Sequence, residues 1–457
     1  MTPNSLLRLD HLSLRNFRCF AECSVDLHPS LTVLVAENGQ GKTAILDAIG
    51  IALRLFVDTI AGTRSFHGFD RNDVHLLRLA DGDMQPAAST EFTARGFVGG
   101  HAVEWSRALK GNGTQARTST AKAKDLRYIA GMLREVIEGN SGTGVAAPSV
   151  LPLVAFYGTG RLWSEHRLTE GKKSHFTASH DRLSGYVDCL SSSSSFKGMV
   201  AWYENKINET GDPRFATELP RNLSLLGAVQ EATRLVLQPT GWCDLGWDST
   251  QRCLVVGHAD HGRLPLSSLS DGVRNMVALV ADIARRCAIL NPHLSDEAAR
   301  GTPGVLLIDE VDMHLHPRWQ QLVVDLLRLA FPSLQVVLTT HSPHVLSTVD
   351  KHSIRVIRLR DARGLIETPT LQTRGVMSAD VLASIMGVDP VPQIEEAAWL
   401  IRYRELIEDG GAEGTEALTL RLKLVSHFGE SHPLITDCDR LIRFQAFRLK
   451  RKGPGEA

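Results

Sequence analysis

The sequence has no long apolar run, few cysteines and no excess of charge. No stretch reaches the roughly 18 apolar residues that span a bilayer, and the N-terminus lacks the apolar core of a secretion signal. We therefore expect a cytoplasmic globular protein with no membrane partner. The seven cysteines include no CxxC pair, which argues against a zinc module or a disulfide framework. With 50 basic and 51 acidic residues, the chain has no overall attraction to nucleic acid, so a DNA contact would need a local basic patch.

The first motif is a glycine-containing loop, residues 36–43, between a predicted strand and a predicted helix. In such a loop the glycines turn backbone N–H groups toward phosphates, the lysine reaches the β and γ oxygens, and the threonine hydroxyl binds Mg²⁺. Ala36 stands where GxxxxGK[ST] has its first glycine, a place that a small residue can fill while its φ stays negative. The residues predicted to bind ATP here are Asn38, Gly39, Gly41, Lys42 and Thr43.

A pair of carboxylates marks the second motif. The four apolar residues 305–308 are typical of a strand buried in a parallel sheet, and Asp309 and Glu310 follow them directly. Ligands of open α/β sheets bind beyond the carboxyl ends of the strands. We therefore expect Asp309 to bind Mg²⁺ together with Thr43, and Glu310 to act on the attacking water.

Two further motifs also place polar residues next to an apolar helix or strand. Ser270 and Gly272 precede a strongly apolar helix, and a serine hydroxyl with a glycine N–H at a helix N-terminus can bind an anion, although a plain N-cap explains the serine equally well in isolation. The apolar residues 336–338 follow Gln335 and indicate another buried strand, which ends in His341.

In this order the motifs resemble those of ATP-binding-cassette (ABC) ATPases, specifically the branch with SMC- and RecF-like heads. The likeness covers residues 6–115 and 240–360, and it implies an α/β P-loop NTPase fold that uses ATP and Mg²⁺. Residues 311–317 resemble the D-loop of that family. The matching residues are Lys42 and Thr43 of Walker A, Ser270 and Gly272 of the signature motif, Asp309 and Glu310 of Walker B, and His341 as the switch histidine.

The resemblance also implies a head-to-tail homodimer. In that family the signature loop of one subunit closes on the nucleotide held by the Walker A loop of another, so a chain with one motif set needs a second copy. Glu310 would then be the base or water-orienting group, and His341 would contact the γ-phosphate.

The motifs suggest four segments. We expect an N-terminal lobe of the ATPase head over residues 1–160, a helical and serine-rich insertion over 161–240, a C-terminal lobe over 241–365 and a helical C-terminal extension over 366–457. The extension contains Asp437 and Asp439, spaced like the carboxylates of a TOPRIM nuclease. They lie within a helical pattern without a preceding strand, which favours a solvated helix face.

Most of the chain is similar to the PtuA-type ATPases of bacterial antiphage systems, Septu and related retrons. That resemblance rests on residues 151–161, 266–274 and 309–320 together with the tail. It implies a sensor or regulatory ATPase that works with a separate HNH endonuclease, whose activity ATP-dependent dimer closure would control.

Two other functions stay open at this stage. A RecF- or SMC-like repair or chromosome-maintenance ATPase would bind DNA directly, with Arg15, Arg18, Arg107 and Lys110 as candidate contacts. The motor subunit of a membrane transporter is the third reading, which the D-loop residues 315–317 and the long insertion disfavour.

Overall fold

The alternating apolar residues near the N-terminus form the first strand of the fold. The structure is a computed structural model that describes residues 6–62, 69–110, 117–139, 149–160, 182–191 and 196–451. In this first strand Leu9 and Leu12 are both buried although three positions separate them. A β-bulge between Leu9 and His11 restores the inward direction of the apolar side chains.

The N-terminal third consists mainly of antiparallel strands and one long helix. Its elements are β1 (Leu7–Phe17), β2 (Phe20–Asp26), β3 (Leu31–Val35), α1 (Lys42–Ala61), β4 (Leu76–Arg78), β5 (Met84–Pro86), β6 (Ser89–Val98), β7 (His101–Lys110), β8 (Arg117–Ala121) and α2 (Lys124–Gly139).

The middle of the chain adds one strand of the main sheet, three long helices and a small separate sheet. Its elements are β9 (Leu153–Tyr157), α3 (Phe196–Gly211), α4 (Leu219–Leu237), β10 (Trp242–Asp248), β11 (Cys253–His258), β12 (Gly262–Pro265) and α5 (Asp271–Leu290).

The last third completes the main sheet and ends in helices. Its elements are α6 (Ala298–Gly301), β13 (Gly304–Ile308), α7 (Pro317–Gln320), α8 (Val323–Ala330), β14 (Leu334–Thr339), α9 (Pro343–Leu346), β15 (Ile354–Arg360), β16 (Arg363–Glu367), α10 (Ser378–Ser384), α11 (Glu395–Glu408), α12 (Thr415–Phe428) and α13 (Pro433–Arg451).

One mixed sheet organises the first 381 residues. Its strand order is β8-β7-β6-β1-β2-β16-β15-β3-β14-β13-β9. Strands β15, β3, β14, β13 and β9 run parallel to one another, and β16 runs parallel to β2. The pairs β15–β16, β2–β1, β1–β6, β6–β7 and β7–β8 are antiparallel. This combination of a parallel sheet, antiparallel strands and packed helices confirms the predicted α/β class.

The parallel strands form the centre of the core. Every residue of β3, β9, β13 and β14 is buried, which explains their largely apolar sequences. Helix α1 contacts β9, β13 and β14, and α5 contacts β9. The sheet therefore holds the carboxyl ends of β3, β14 and β13 next to one another.

The C-terminal helices form a compact unit of their own, residues 382–457, distinct from residues 1–381. Helices α11, α12 and α13 bury a small shared core. Its members are Tyr403, Ile407, Ala417, Leu424, Ile435 and Cys438.

The structural boundaries differ from those that we expected. The expected boundary at residue 366 falls inside β16, whose pairing with β15 and β2 attaches it to the main sheet. Within the expected insertion, residues 161–181 and 192–195 lie outside the described residues, and α4 packs on α5. Among the described residues, no helix is long and apolar enough to cross a membrane.

Candidate active site

The phosphate loop, residues 36–43, connects β3 to α1 in a conformation that requires glycine. Gly39 and Gly41 have φ values of 78° and 92°, in the left-handed region. A side chain at Gly41 would collide with the Phe20 ring, whereas the space around Gly39 is open. Ala36 is not among the residues with positive φ, so alanine fits the position that usually holds the first glycine.

Lys42 points back across this loop. Its Nζ donates hydrogen bonds to the carbonyl oxygens of Ala36 at 2.8 Å and Glu37 at 3.1 Å. Burial lowers the pKa of the Lys42 ammonium, and the nearby carboxylates Asp309, Glu310 and Asp312 act in the opposite direction. Asn38 and Gly39 are exposed at the tip of the loop, where they can meet a ligand.

Asp309 joins the phosphate loop to the ends of β13 and β14. Its Oδ2 accepts a hydrogen bond from Thr43 Oγ1 at 2.9 Å, and its Oδ1 accepts one from Thr339 Oγ1 at 2.6 Å. Its side chain is buried, and its backbone N–H donates to the Tyr157 carbonyl on β9. The two residues predicted to bind the metal therefore lie side by side although 266 positions separate them in the sequence.

This pair suits a magnesium ion. Adjacent ligands of an octahedral Mg²⁺ ion at about 2.1 Å lie about 3 Å apart, and Mg²⁺ prefers hydroxyl and carboxylate oxygens. The separation of 2.9 Å between Thr43 Oγ1 and Asp309 Oδ2 matches that spacing.

Glu310 occupies a strained backbone position at the end of β13. Its φ is 45°, which is unusual for a residue with a side chain. Its N–H donates to Thr339 Oγ1 at 2.7 Å, so one hydroxyl contacts both residues of the carboxylate pair. The Glu310 side chain is half-buried.

His341 lies beside the D-loop, residues 311–317. Asp312 Oδ1 accepts hydrogen bonds from Thr340 Oγ1 at 2.6 Å and from the His341 N–H at 3.4 Å. His341, predicted as the switch histidine, therefore follows β14 at the same sheet edge as Asp309 and Glu310.

The residues predicted to form the signature motif, Ser270 and Gly272, lie at the start of α5 and not at the phosphate loop. Ser270 is the exposed N-cap of α5, and within the described structure its hydroxyl makes no capping hydrogen bond. Gly272 packs against the D-loop of its own chain, because an added Cβ would lie 3.0 Å from the His314 carbonyl oxygen. In the described part of the chain, no hydrogen bond joins Ser270 or Gly272 to the phosphate loop.

The residues named as DNA contacts do not form one patch. Arg107 is buried, and Arg18 pairs with Asp47 and with Asp73. Arg15 and Lys110 are the two that are exposed. The structure thus corrects the expectation that all four basic side chains are available on the surface.

A buried ionic cluster beneath the site was not predicted. Tyr157 OH donates to Asp282 Oδ2 at 2.8 Å, and Arg285 and Arg286 pair with the same carboxylate at 2.6 and 2.9 Å. The cluster ties α5 to β9, the neighbour of β13. An acid within the mainly apolar stretch of residues 276–284 was the available signal, but its partner Tyr157 is 125 positions away.

Comparisons with known proteins agree with the motifs. Residues 11–210 match a family model described as "AAA domain", and residues 256–347 match "AAA domain, putative AbiEii toxin, Type IV TA system". The "Retron Vc95 probable ATPase" of Vibrio cholerae serotype O1 biovar El Tor is 26% identical, over 89% of this chain and 85% of that protein. The "Retron Ec83 probable ATPase" of Escherichia coli is also 26% identical, over 93% and 84%. A Septu protein PtuA of Bacillus thuringiensis is 24% identical, over 43% of this chain and 49% of that protein.

Proposed function

We propose that the chain is the ATP-hydrolysing regulatory subunit of a bacterial antiphage defence complex, because its motifs resemble those of ABC-type P-loop ATPases and most of the chain is similar to two retron probable ATPases. The observation that carries the catalytic part is the position of Asp309, hydrogen-bonded to both Thr43 and Thr339. This carboxylate unites the ends of three neighbouring strands into one site.

In the proposed reaction the phosphate loop binds ATP through its backbone N–H groups and Lys42. Thr43 and Asp309 would hold Mg²⁺, which neutralises charge on the phosphates when bound. Glu310 orients the attacking water or takes its proton, and His341 contacts the γ-phosphate. The Thr339 hydroxyl fixes Glu310 and Asp309 relative to one another.

We propose that the active form is a head-to-tail homodimer. Ser270 is exposed and has no capping role in the described structure, and it makes no hydrogen bond to the phosphate loop of its own chain. A second copy could place this signature loop against the nucleotide, so that two chains form two composite sites. ATP binding would close the dimer and hydrolysis would reopen it.

We further propose that a separate HNH endonuclease performs the cutting. The similarity to the Septu protein PtuA supports this division of labour. In the C-terminal unit, the two carboxylates of α13 that resemble a nuclease motif are both paired with arginines: Asp437 with Arg440 of the same helix at 3.0 Å, and Asp439 with Arg421 of α12 at 2.5 Å.

Glu310→Gln tests both parts of the proposal. We expect ATP binding to be kept and turnover to fall by roughly a hundredfold or more, because the base is lost while the binding groups remain. The protein expressed with its neighbouring genes should also co-purify with a small HNH protein, and this variant should hold the complex in its ATP-bound state.

The matched control is Glu430→Gln, at an exposed position of the C-terminal unit. Unchanged turnover in Glu310→Gln would remove Glu310 from the mechanism. Recovery of an ATP-dependent dimer without a nuclease, together with salt-dependent DNA binding, would favour a repair ATPase instead.

A further inference from the structure

A serine beside the switch histidine connects β14 to a second loop of the site. Ser342 follows His341 and is buried at the start of α9. Its Oγ accepts hydrogen bonds from the N–H groups of His344 at 3.1 Å and Val345 at 3.2 Å. The hydroxyl proton is donated to Gln320 Oε1 at 2.7 Å. The position of Ser342 is therefore fixed from both sides.

The Gln320 amide carries this connection into the D-loop. While its Oε1 accepts from Ser342, its Nε2 donates to the Leu315 carbonyl oxygen at 2.9 Å. Because the amide group is planar and rigid, a displacement of Ser342 is passed to Leu315. Gln320 is the last residue of α7, whose start is capped by the His316 side chain.

The segment that Gln320 holds contacts the signature helix of the same chain. A Cβ added to Gly272 would lie 3.0 Å from the His314 carbonyl oxygen and 3.7 Å from Leu315 Cα. His314 has a φ of 62°, so the D-loop turns sharply at this contact. A continuous series of contacts thus leads from His341 through Ser342, Gln320 and the D-loop to the start of α5.

We propose that Gln320 is a positioning residue that couples the two ATP sites of the dimer. This inference rests on the proposed dimer, in which His341 contacts one nucleotide and the signature loop of the same chain closes on the other. A movement of His341 at one γ-phosphate is transmitted through the Gln320 amide to Gly272 and Ser270, and so to the second site. Hydrolysis at the two sites is then cooperative.

Substitution of Gln320 separates coupling from binding. Gln320→Met keeps the length of the side chain and removes both hydrogen bonds, whereas Gln320→Glu keeps the acceptor for Ser342 and loses the donor for Leu315. Both variants should bind ATP as the wild type does and keep its melting temperature within a few degrees. Their turnover should lose its sigmoidal dependence on ATP, so that the Hill coefficient falls to about one. The turnover measured at low ATP concentration should change about fivefold or more.

Gln321→Met is the matched control, because the neighbouring Gln321 is exposed. Its turnover should remain cooperative. Cooperative turnover in Gln320→Met, loss of ATP binding in it, or a non-cooperative wild type would each overturn the coupling role. Failure of the proposed function itself would look different, since turnover would then persist in Glu310→Gln whatever the behaviour of the Gln320 variants.

Discussion

At the scale of single residues, the Thr339 hydroxyl connects the two proposed catalytic carboxylate residues, Asp309 and Glu310. It donates to Asp309 and accepts from the Glu310 N–H, and it is fully buried at the end of β14. Since Glu310 has a positive φ, its backbone needs support from neighbouring groups to stay in that conformation. The hydroxyl supplies this support and orients the carboxylate next to Thr43.

We expect Thr339→Val to reduce both stability and turnover. Valine has nearly the same shape but leaves the Glu310 N–H without its acceptor and the buried Asp309 Oδ1 without its donor, which costs about 1–3 kcal/mol of unfolding free energy. Thr339→Ser keeps the hydroxyl and should retain most of the turnover, although the lost methyl group leaves a small cavity. Melting curves and steady-state ATP hydrolysis of the two variants measure the effect; equal turnover in both would contradict the role of the hydroxyl.

Helix α5 is the element on which the site depends most outside the motifs. Asp282 accepts a hydrogen bond from Tyr157 on β9 and pairs with Arg285 and Arg286 of its own helix. Arg286 also donates to the carbonyl oxygens of Gly185 and Val187. The signature residues at the start of α5 are therefore anchored to the strand that pairs with β13. A buried charge cluster of this kind contributes little net stability, but removal of one member is costly.

We expect Asp282→Asn to destabilise the protein by about 3–5 kcal/mol near neutral pH, because two buried guanidinium groups lose their carboxylate. Burial acts to raise the pKa of Asp282, but Arg285 and Arg286 hold it below its ordinary value of 3.8. The unfolded chain therefore binds this proton more readily than the folded chain. The ionised carboxylate stabilises the fold fully above the unfolded pKa, and this stability is lost as the pH falls toward the lower folded pKa.

Unfolding midpoints of wild type and Asp282→Asn measured as a function of pH check this expectation. The difference in unfolding midpoint between the two proteins should be constant above about pH 5 and should become smaller below about pH 4. Asp325→Asn, at an exposed position of α8, is the control and should show little difference from the wild type at any pH. A difference in midpoint that becomes larger in acid would contradict the assignment of Asp282 as the ionised partner of Arg285 and Arg286.

Sequence patterns predicted the motif residues at the ends of strands but not the buried cluster around Asp282. Asp309 and Thr43 could be paired in advance, because both follow apolar strands whose carboxyl ends share one sheet edge. Tyr157 and Asp282 could not, since neither periodicity nor spacing connects a strand residue to one position of a distant helix. Strand β16 was also missed, because a short strand with alternating exposed residues depends on pairing with β15 and β2 for its identity.

At the scale of the whole molecule, the residues of one chain that are predicted to bind ATP fall into two separate groups. The phosphate loop, Asp309, Glu310 and His341 lie at one sheet edge, whereas Ser270 is exposed at the start of α5 and unconnected to that loop by hydrogen bonds in the described structure. In the proposed homodimer, a composite site assembled from two chains would let both sets act on the same nucleotide.

Mixing two inactive variants tests this arrangement directly. Lys42→Ala removes the phosphate contact, and Ser270→Arg blocks the signature loop, so we expect each variant alone to hydrolyse almost no ATP. A mixed dimer has one site in which both substitutions meet and one in which Lys42 of one chain faces Ser270 of the other. An equal mixture should therefore recover at most about a quarter of wild-type turnover, because half of the dimers are mixed and each has one intact site. A mixture as inactive as its components would mean that the signature loop does not complete the site of a second chain, or that one intact site cannot turn over when its coupled partner is inactive.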